Sequence, residues 1–152
     1  NFPKHSFDAV VLSMVLEHLA DPVQALFRIR EWLKPGGQIL ISVPLFDGFE
    51  ARLFKQHAYT LQVPTHLTHF TNKTIENVLN HAGFKIKSKT HQIFFRDLKA
   101  GAEIYFSDSK YRHLVGKLPR VIFKSISLLL GLAGKSSRIS IRAVVKTGGR
   151  PQ

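Results

Sequence analysis

Apolar positions fall into blocks of two kinds along the chain. Phe7-Asp8-Ala9-Val10-Val11-Leu12-Ser13 and Gln38-Ile39-Leu40-Ile41-Ser42-Val43-Pro44 are short runs rich in valine and isoleucine. Near-continuous apolar runs of this length predict strands buried on both faces, as in a parallel sheet. Between them the period lengthens. Pro22, Leu26, Ile29 and Leu33 share one helical stripe, with Val23 and Phe27 beside it, while Arg28, Arg30 and Glu31 take polar positions. Asp21-Pro22 supplies an N-cap and a proline at the first helical position. Lys34-Pro35-Gly36-Gly37 stops the helix, because proline cannot continue it and glycine accepts a left-handed turn. Strand, helix, tight turn and strand make a βαβ unit, which predicts the α/β class.

Residues 45–70 have no clean period. Phe46, Phe49, Phe54, His57, Tyr59, His66, His69 and Phe70 are scattered through them. A loop of this length inside a compact domain is more often functional than idle. After Thr71, a capping residue, Ile75, Val78, Leu79 and Ala82 mark an amphipathic helix that Gly83 closes. Phe84-Lys85-Ile86-Lys87-Ser88-Lys89 alternates apolar and basic, as an edge or half-exposed strand does. Pro119 divides the region that follows into helices over 109–117 and 119–132. In the second, Ile122, Ile126, Leu129 and Leu130 lie on one side, and the commoner fate of such a stripe is to pack on the sheet. It is well short of the ~20 residues a membrane span needs, and Lys124 interrupts it. Residues 139–145 read as a last strand, and 148–152 as a frayed tail. The expected organisation is one partial domain over 1–147, with 85–147 a variable basic region.

Composition narrows the picture. The 152 residues contain no cysteine, which removes disulfides, thiolate metal sites and cysteine nucleophiles together. Residues 1–84 carry 7 Lys/Arg against 7 Asp/Glu, whereas 85–152 carry 15 against 3, so the whole formal charge of +12 lies in the second half. That asymmetry fits an anionic partner, a membrane surface or nucleic acid, although no nucleic-acid motif accompanies it; a solvated basic face fits it equally. The chain begins at Asn1, close to its first strand and without a signal peptide, which reads as a fragment of a cytoplasmic protein.

Candidate chemistry starts at Ser13 and Met14, the carboxyl end of the first strand, because open α/β sheets bind ligands outside those ends. Gly134-Lys135-Ser136 echoes a phosphate-binding loop, but the glycine required five places earlier is Leu129, and a helix precedes it rather than a strand. Asn72-Lys73-Thr74 matches a glycosylation acceptor by chance.

Phe7-Asp8-Ala9-Val10-Val11, Leu16-Glu17-His18-Leu19-Ala20-Asp21-Pro22, Leu33-Lys34-Pro35-Gly36-Gly37 and Leu40-Ile41-Ser42-Val43-Pro44, in this order and spacing, resemble class I S-adenosylmethionine-dependent methyltransferases of types 11 and 23. His66-Leu67-Thr68-His69-Phe70-Thr71 and Ala82-Gly83-Phe84 are similar to a later block of the same family. The resemblance implies the carboxyl-terminal part of a Rossmann-like doubly wound sheet with a final antiparallel strand. It implies S-adenosylmethionine as cofactor, with Ser13 and Met14 beside its methionine part, and methyl transfer to a small or lipid-like acceptor. The family's glycine-rich loop and ribose-holding acid would then lie upstream, since no Gly-x-Gly pair occurs in this chain.

Three further sites are expected. Ubiquinone-biosynthesis O-methyltransferases resemble this stretch and carry Glu-x-x-Glu-His, which can hold a cation. Met14 stands where the first Glu belongs, so no metal is expected. Glu17 would touch the acceptor, and His18 would act as a general base on a hydroxyl acceptor. His66 and His69 would line the acceptor pocket. Two other functions remain open at this point: a non-enzymatic basic module that binds nucleic acid or a membrane surface, and a degenerate methyltransferase-like scaffold.

Overall fold

A computed structural model describes residues 2–146, so the expected tail at 148–152 lies outside them. Strands β1 (Phe7–Ser13), β2 (Leu33–Pro44), β3 (Phe84–His91) and β4 (Arg138–Val145) form one sheet in the order β1-β2-β4-β3. β1 and β2 run parallel, with Val10 opposite Ile39 and Ser13 opposite Ser42. β4 is antiparallel to both β2 and β3, so the last strand in sequence inserts in reverse beside β2. The Lys34–Gly37 turn is a bulge inside β2: Phe7 pairs with Leu33 and Ala9 with Gln38, and the four residues between loop out, with Gly36 at a φ of +77°.

Helix α1 (Pro22–Trp32) starts as expected, the Asp21 carboxylate accepting the Gln24 N–H at 2.9 Å. α2 (Phe49–Phe54) forms within the stretch without a period. α3 (Asn72–His81) is capped by Thr71, whose hydroxyl accepts the Thr74 N–H at 3.1 Å. The Leu26 and Ile29 side chains of α1 and Ile75 and Leu79 of α3 cover Ile39, Ile41 and Val43 of β2 and Ile139, Ile141 and Ala143 of β4. This is the main core.

The opposite face of the sheet is open among the described residues. Val11 is 65% exposed, and Leu40 and Arg142 are exposed beside it. β1 is therefore not buried on both faces as its run of valines predicts; it is an edge strand with one solvent-facing side. A shallow groove of about 390 Å³ runs over Ser13, Ser42, Ser140 and their neighbours on this side.

Between β3 and β4 the chain makes three helices, α4 (Phe95–Tyr105), α5 (Arg112–Lys117) and α6 (Arg120–Leu132). α4 is not predicted by the sequence pattern. Because Pro44 pairs with Arg138, this insertion leaves and re-enters the sheet at the edge where β1 and β2 end. It packs there on α2 in a second core of Phe54, Leu98, Ala102, Val115 and Phe123. The expectation that α6 packs its Ile122–Ile126–Leu129 stripe on the sheet fails. α6 buries Phe123 and Ser127 instead, and leaves Val121, Ile122, Ile126, Leu128, Leu129 and Leu132 exposed. The physical reason is that α6 rests on α4, so its partner lies on the other side of the helix.

Candidate functional site

β1 ends by turning sharply at Met14, whose φ is +54° and whose N–H donates to the Ser42 carbonyl at 2.9 Å. A left-handed conformation costs a residue with a side chain about 1–2 kcal/mol, and such strain concentrates where ligands bind. Ser13 and Met14 thus stand at the carboxyl edge, Ser13 exposed and Met14 half-buried.

The turn delivers the chain into a single 3-10 turn, Leu16–His18. Leu16 and Glu17 point inward and are fully buried, while His18 is exposed. The segment 60–70 then closes over this turn: the Glu17 carbonyl accepts the N–H of Leu67 at 2.9 Å and of Thr68 at 3.0 Å. This clamp brings His66 to His18, with ring centres 4.8 Å apart. His66 is buried; His69, 6.5 Å from it, is exposed and stacks edge-on with Phe46.

The two close histidines are held alike. Nδ1 of His18 meets the Thr65 carbonyl and Nδ1 of His66 the Thr60 carbonyl, each at 2.9 Å. A carbonyl oxygen only accepts, so each Nδ1 carries a proton, and in the neutral ring Nε2 keeps the lone pair. His69 uses the other nitrogen, Nε2 facing the Leu61 carbonyl at 3.0 Å. Both carboxylate oxygens of Glu17 are buried without a hydrogen-bond partner. Burial raises the Glu17 pKa, and the residue's own backbone N–H, then the charges of His18 and Arg138, oppose the rise only in part. Burial likewise lowers the His66 pKa against the Thr60 hydrogen bond.

Glu17, His18 and His66 each place one ligand-type atom within 4.8 Å of the others. From the sequence, Glu17 and His18 had only Met14 in place of a third ligand. The fold supplies His66 from a segment whose sequence gives no periodic signal for its position. Arg138 is nearby but already bound: its guanidinium donates to both Asp97 oxygens, at 2.6 and 3.2 Å, and lies 4.5 Å over the Phe94 ring. The Gly134-Lys135-Ser136 segment borders a separate cleft with Asp47, Arg52 and His91.

The model of a methyltransferase domain family matches residues 1–89, more than half of the chain. No curated protein matches the sequence. Among solved structures, a chain of the complex between the Haloferax volcanii Trm112 methyltransferase activator and a methyltransferase superposes with a TM-score of 0.62 at 16% identity, over 96% of this chain and 57% of that one. An S-adenosylmethionine-dependent methyltransferase from Thermotoga maritima gives 0.57 at 15% identity, over 95% and 58%. Phosphoethanolamine N-methyltransferase 2 of Haemonchus contortus, bound to phosphomonomethylethanolamine and S-adenosylhomocysteine, gives 0.53 at 23% identity, over 97% and 35%. At such identities these likenesses establish the fold, Rossmann-like with its reversed last strand, and the chain spans little more than half the length of the first two.

Proposed function

The chain belongs to the methyltransferase domain family, and on that premise we propose that it supplies the acceptor side of an S-adenosylmethionine-dependent methyltransferase acting on a lipid-like acceptor at an anionic membrane surface. The observation that carries this reading is a convergence at one edge of the sheet. The exit of β1 at Ser13–Met14, the Glu17–His18–His66 cluster and the α4–α6 insertion all lie where β1 and β2 end, the ligand edge of an open α/β sheet.

The residues present fit one side of the cofactor. Ser13 and Met14, at an open strand edge with a turned backbone, would border its methionine part; a glycine-rich turn for the remainder is not in these 152 residues. When bound, S-adenosylmethionine supplies an electrophilic methyl group on sulfur. The chain's own residues would position the acceptor in line with that methyl and exclude water, the two contributions methyl transfer chiefly needs. Glu17, His18 and His66 would sit on the acceptor side with the groups to handle a hydroxyl proton, and His69 with Phe46 would form an outer wall.

A lipid-like acceptor is favoured by α6. Six exposed apolar side chains on one short helix, with Arg120 and Lys124 and no acidic residue, suit the headgroup region of an anionic bilayer better than a nucleic-acid backbone. No helix of the described residues is long and apolar enough to cross a membrane, so attachment would be peripheral. The test is transfer of labelled methyl from S-adenosylmethionine by the full-length protein incubated with total membrane lipid. Label in the organic phase supports the reading. Absence of S-adenosylmethionine binding overturns the enzyme, and label confined to water-soluble products overturns the lipid acceptor.

A further inference from the structure

We propose that Glu17, His18 and His66 form a binding site for a divalent transition-metal ion, with zinc as its simplest occupant. Three independent features converge on it. The first is Glu17: a fully buried carboxylate whose two oxygens have no hydrogen-bond partner. A buried charge without a partner is costly, and a coordinated cation removes that cost.

The second is the pair of imidazoles. Both donate Nδ1–H to a backbone carbonyl and so present Nε2 lone pairs of fixed orientation. Metal-binding histidines are oriented in this way, by a hydrogen bond from the nitrogen that does not bind the ion. His69, facing its carbonyl with Nε2 instead, is not part of the set.

The third is spacing. One candidate ligand atom from each residue, a ring nitrogen or a carboxylate oxygen, lies within 4.8 Å of the others. Ligands about 2.0–2.1 Å from a tetrahedral zinc are roughly 3.3 Å apart, so the widest pair must close by about 1.5 Å. Small rotations of side chains already anchored at one end supply such a movement. Two imidazoles and one carboxylate select a transition metal over magnesium or calcium, which prefer oxygen ligands throughout. Three ligands leave a position open, and the exposed His18 leaves it accessible from solvent.

This site deepens the methyl-transfer reading and rests on it for its purpose, though not for its existence. A hydroxyl acceptor on the open position would lose its proton to water more readily. Its oxygen would then form a bond to the methyl carbon as the carbon–sulfur bond breaks, leaving S-adenosylhomocysteine. His18 would be a ligand in that scheme rather than a free base.

Calorimetric titration of the 152-residue chain with zinc chloride, after treatment with chelator, tests the site. One ion per chain is expected, with affinity lowered at least about 100-fold in His66→Ala and His18→Ala, and unchanged in His113→Ala. Cobalt substitution should give the intense visible absorption of a low-coordinate ion and lose it in the same variants. Should His66→Ala fail to fold, Glu17→Gln, which keeps the shape of the buried side chain, carries the test by the same loss. Absence of stoichiometric zinc binding, or full affinity in a folded trio variant, overturns the proposal. S-adenosylmethionine binding by the full-length protein is measured separately. Zinc binding without it leaves the metal site and removes its purpose, whereas the cofactor without zinc does the reverse.

Discussion

Glu50 and Ser137 bind each other in both directions at the edge where β1 and β2 end. The Ser137 hydroxyl accepts the N–H groups of Glu50 and Ala51, at 3.1 and 3.3 Å, and so caps α2 from the far end of the insertion. In return the Glu50 carboxylate accepts the Ser137 N–H at 2.9 Å and its hydroxyl proton. Both residues are buried. Ser137→Ala removes the cap and leaves buried donors without a partner, a loss of about 1–3 kcal/mol. The urea midpoint should fall accordingly, with an unchanged dependence on denaturant. An unaltered midpoint would show that the edge does not depend on this pair.

Glu17 gives a pH signature. Its folded pKa is raised above the ordinary value of 4.5, first by burial. A carboxyl of this kind stabilises the fold fully below its unfolded pKa, and that contribution is lost as pH rises through the folded value. Glu17→Gln has no such loss. In chelator, wild type and variant should therefore melt alike near pH 4, and the variant should melt higher at pH 7.5. A difference that stays constant over this range would mean that the Glu17 pKa is the same in the folded and unfolded chain.

The fold was legible where local pattern and tertiary environment agree. The apolar runs of β1 and β2, the Asp21-Pro22 start of α1 and the Thr71 cap of α3 each have a local cause, and each element forms where that cause sits. α4 was not legible, because its buried Leu98 and Ala102 face Phe54 and Val115 rather than the sheet, and that second core exists only once the insertion closes. The orientation of α6 was hidden for the same reason. At the site, Ser13, Met14, Glu17 and His18 follow from strand and turn order. His66 joins them through backbone hydrogen bonds between Glu17 and residues 67–68, which side-chain chemistry does not encode.

Gly83 shows a glycine required by its backbone. Its φ is +83°, and a Cβ built there would lie 2.8 Å from the Arg30 guanidinium, the far end of a flexible side chain. Gly83→Ala combines the left-handed penalty of about 1–2 kcal/mol with displacement of Arg30. A melting temperature lowered by more than about 3 °C is expected in a thermal scan. Arg30→Ala in the same background should recover part of the loss if the contact matters, and none if only the backbone does.

The exposed side of α6 tests the membrane reading directly. Leu129 and Leu132 are 67% and 76% exposed, while the helix is held by Phe123 and Ser127, which are buried. Substituting the outer pair therefore leaves the packing intact. In Leu129→Asp with Leu132→Asp, two apolar contacts with lipid are lost and two anions are set against anionic headgroups. Each apolar side chain transferred from water contributes about 1.5 kcal/mol or more when fully buried, and a partly immersed pair still amounts to a tenfold change in binding. Co-sedimentation of the chain with mixed phosphatidylglycerol and phosphatidylcholine vesicles should fall by about that factor or more, with secondary structure unchanged by circular dichroism. Arg120→Glu with Lys124→Glu should weaken binding to the anionic mixture and not to pure phosphatidylcholine, because a basic residue at such a surface contributes about 1 kcal/mol and the term is electrostatic. Vesicle binding that ignores both pairs would remove lipid from this face, and a dimer in solution that dissociates in the leucine variant would assign the face to a second copy of the chain.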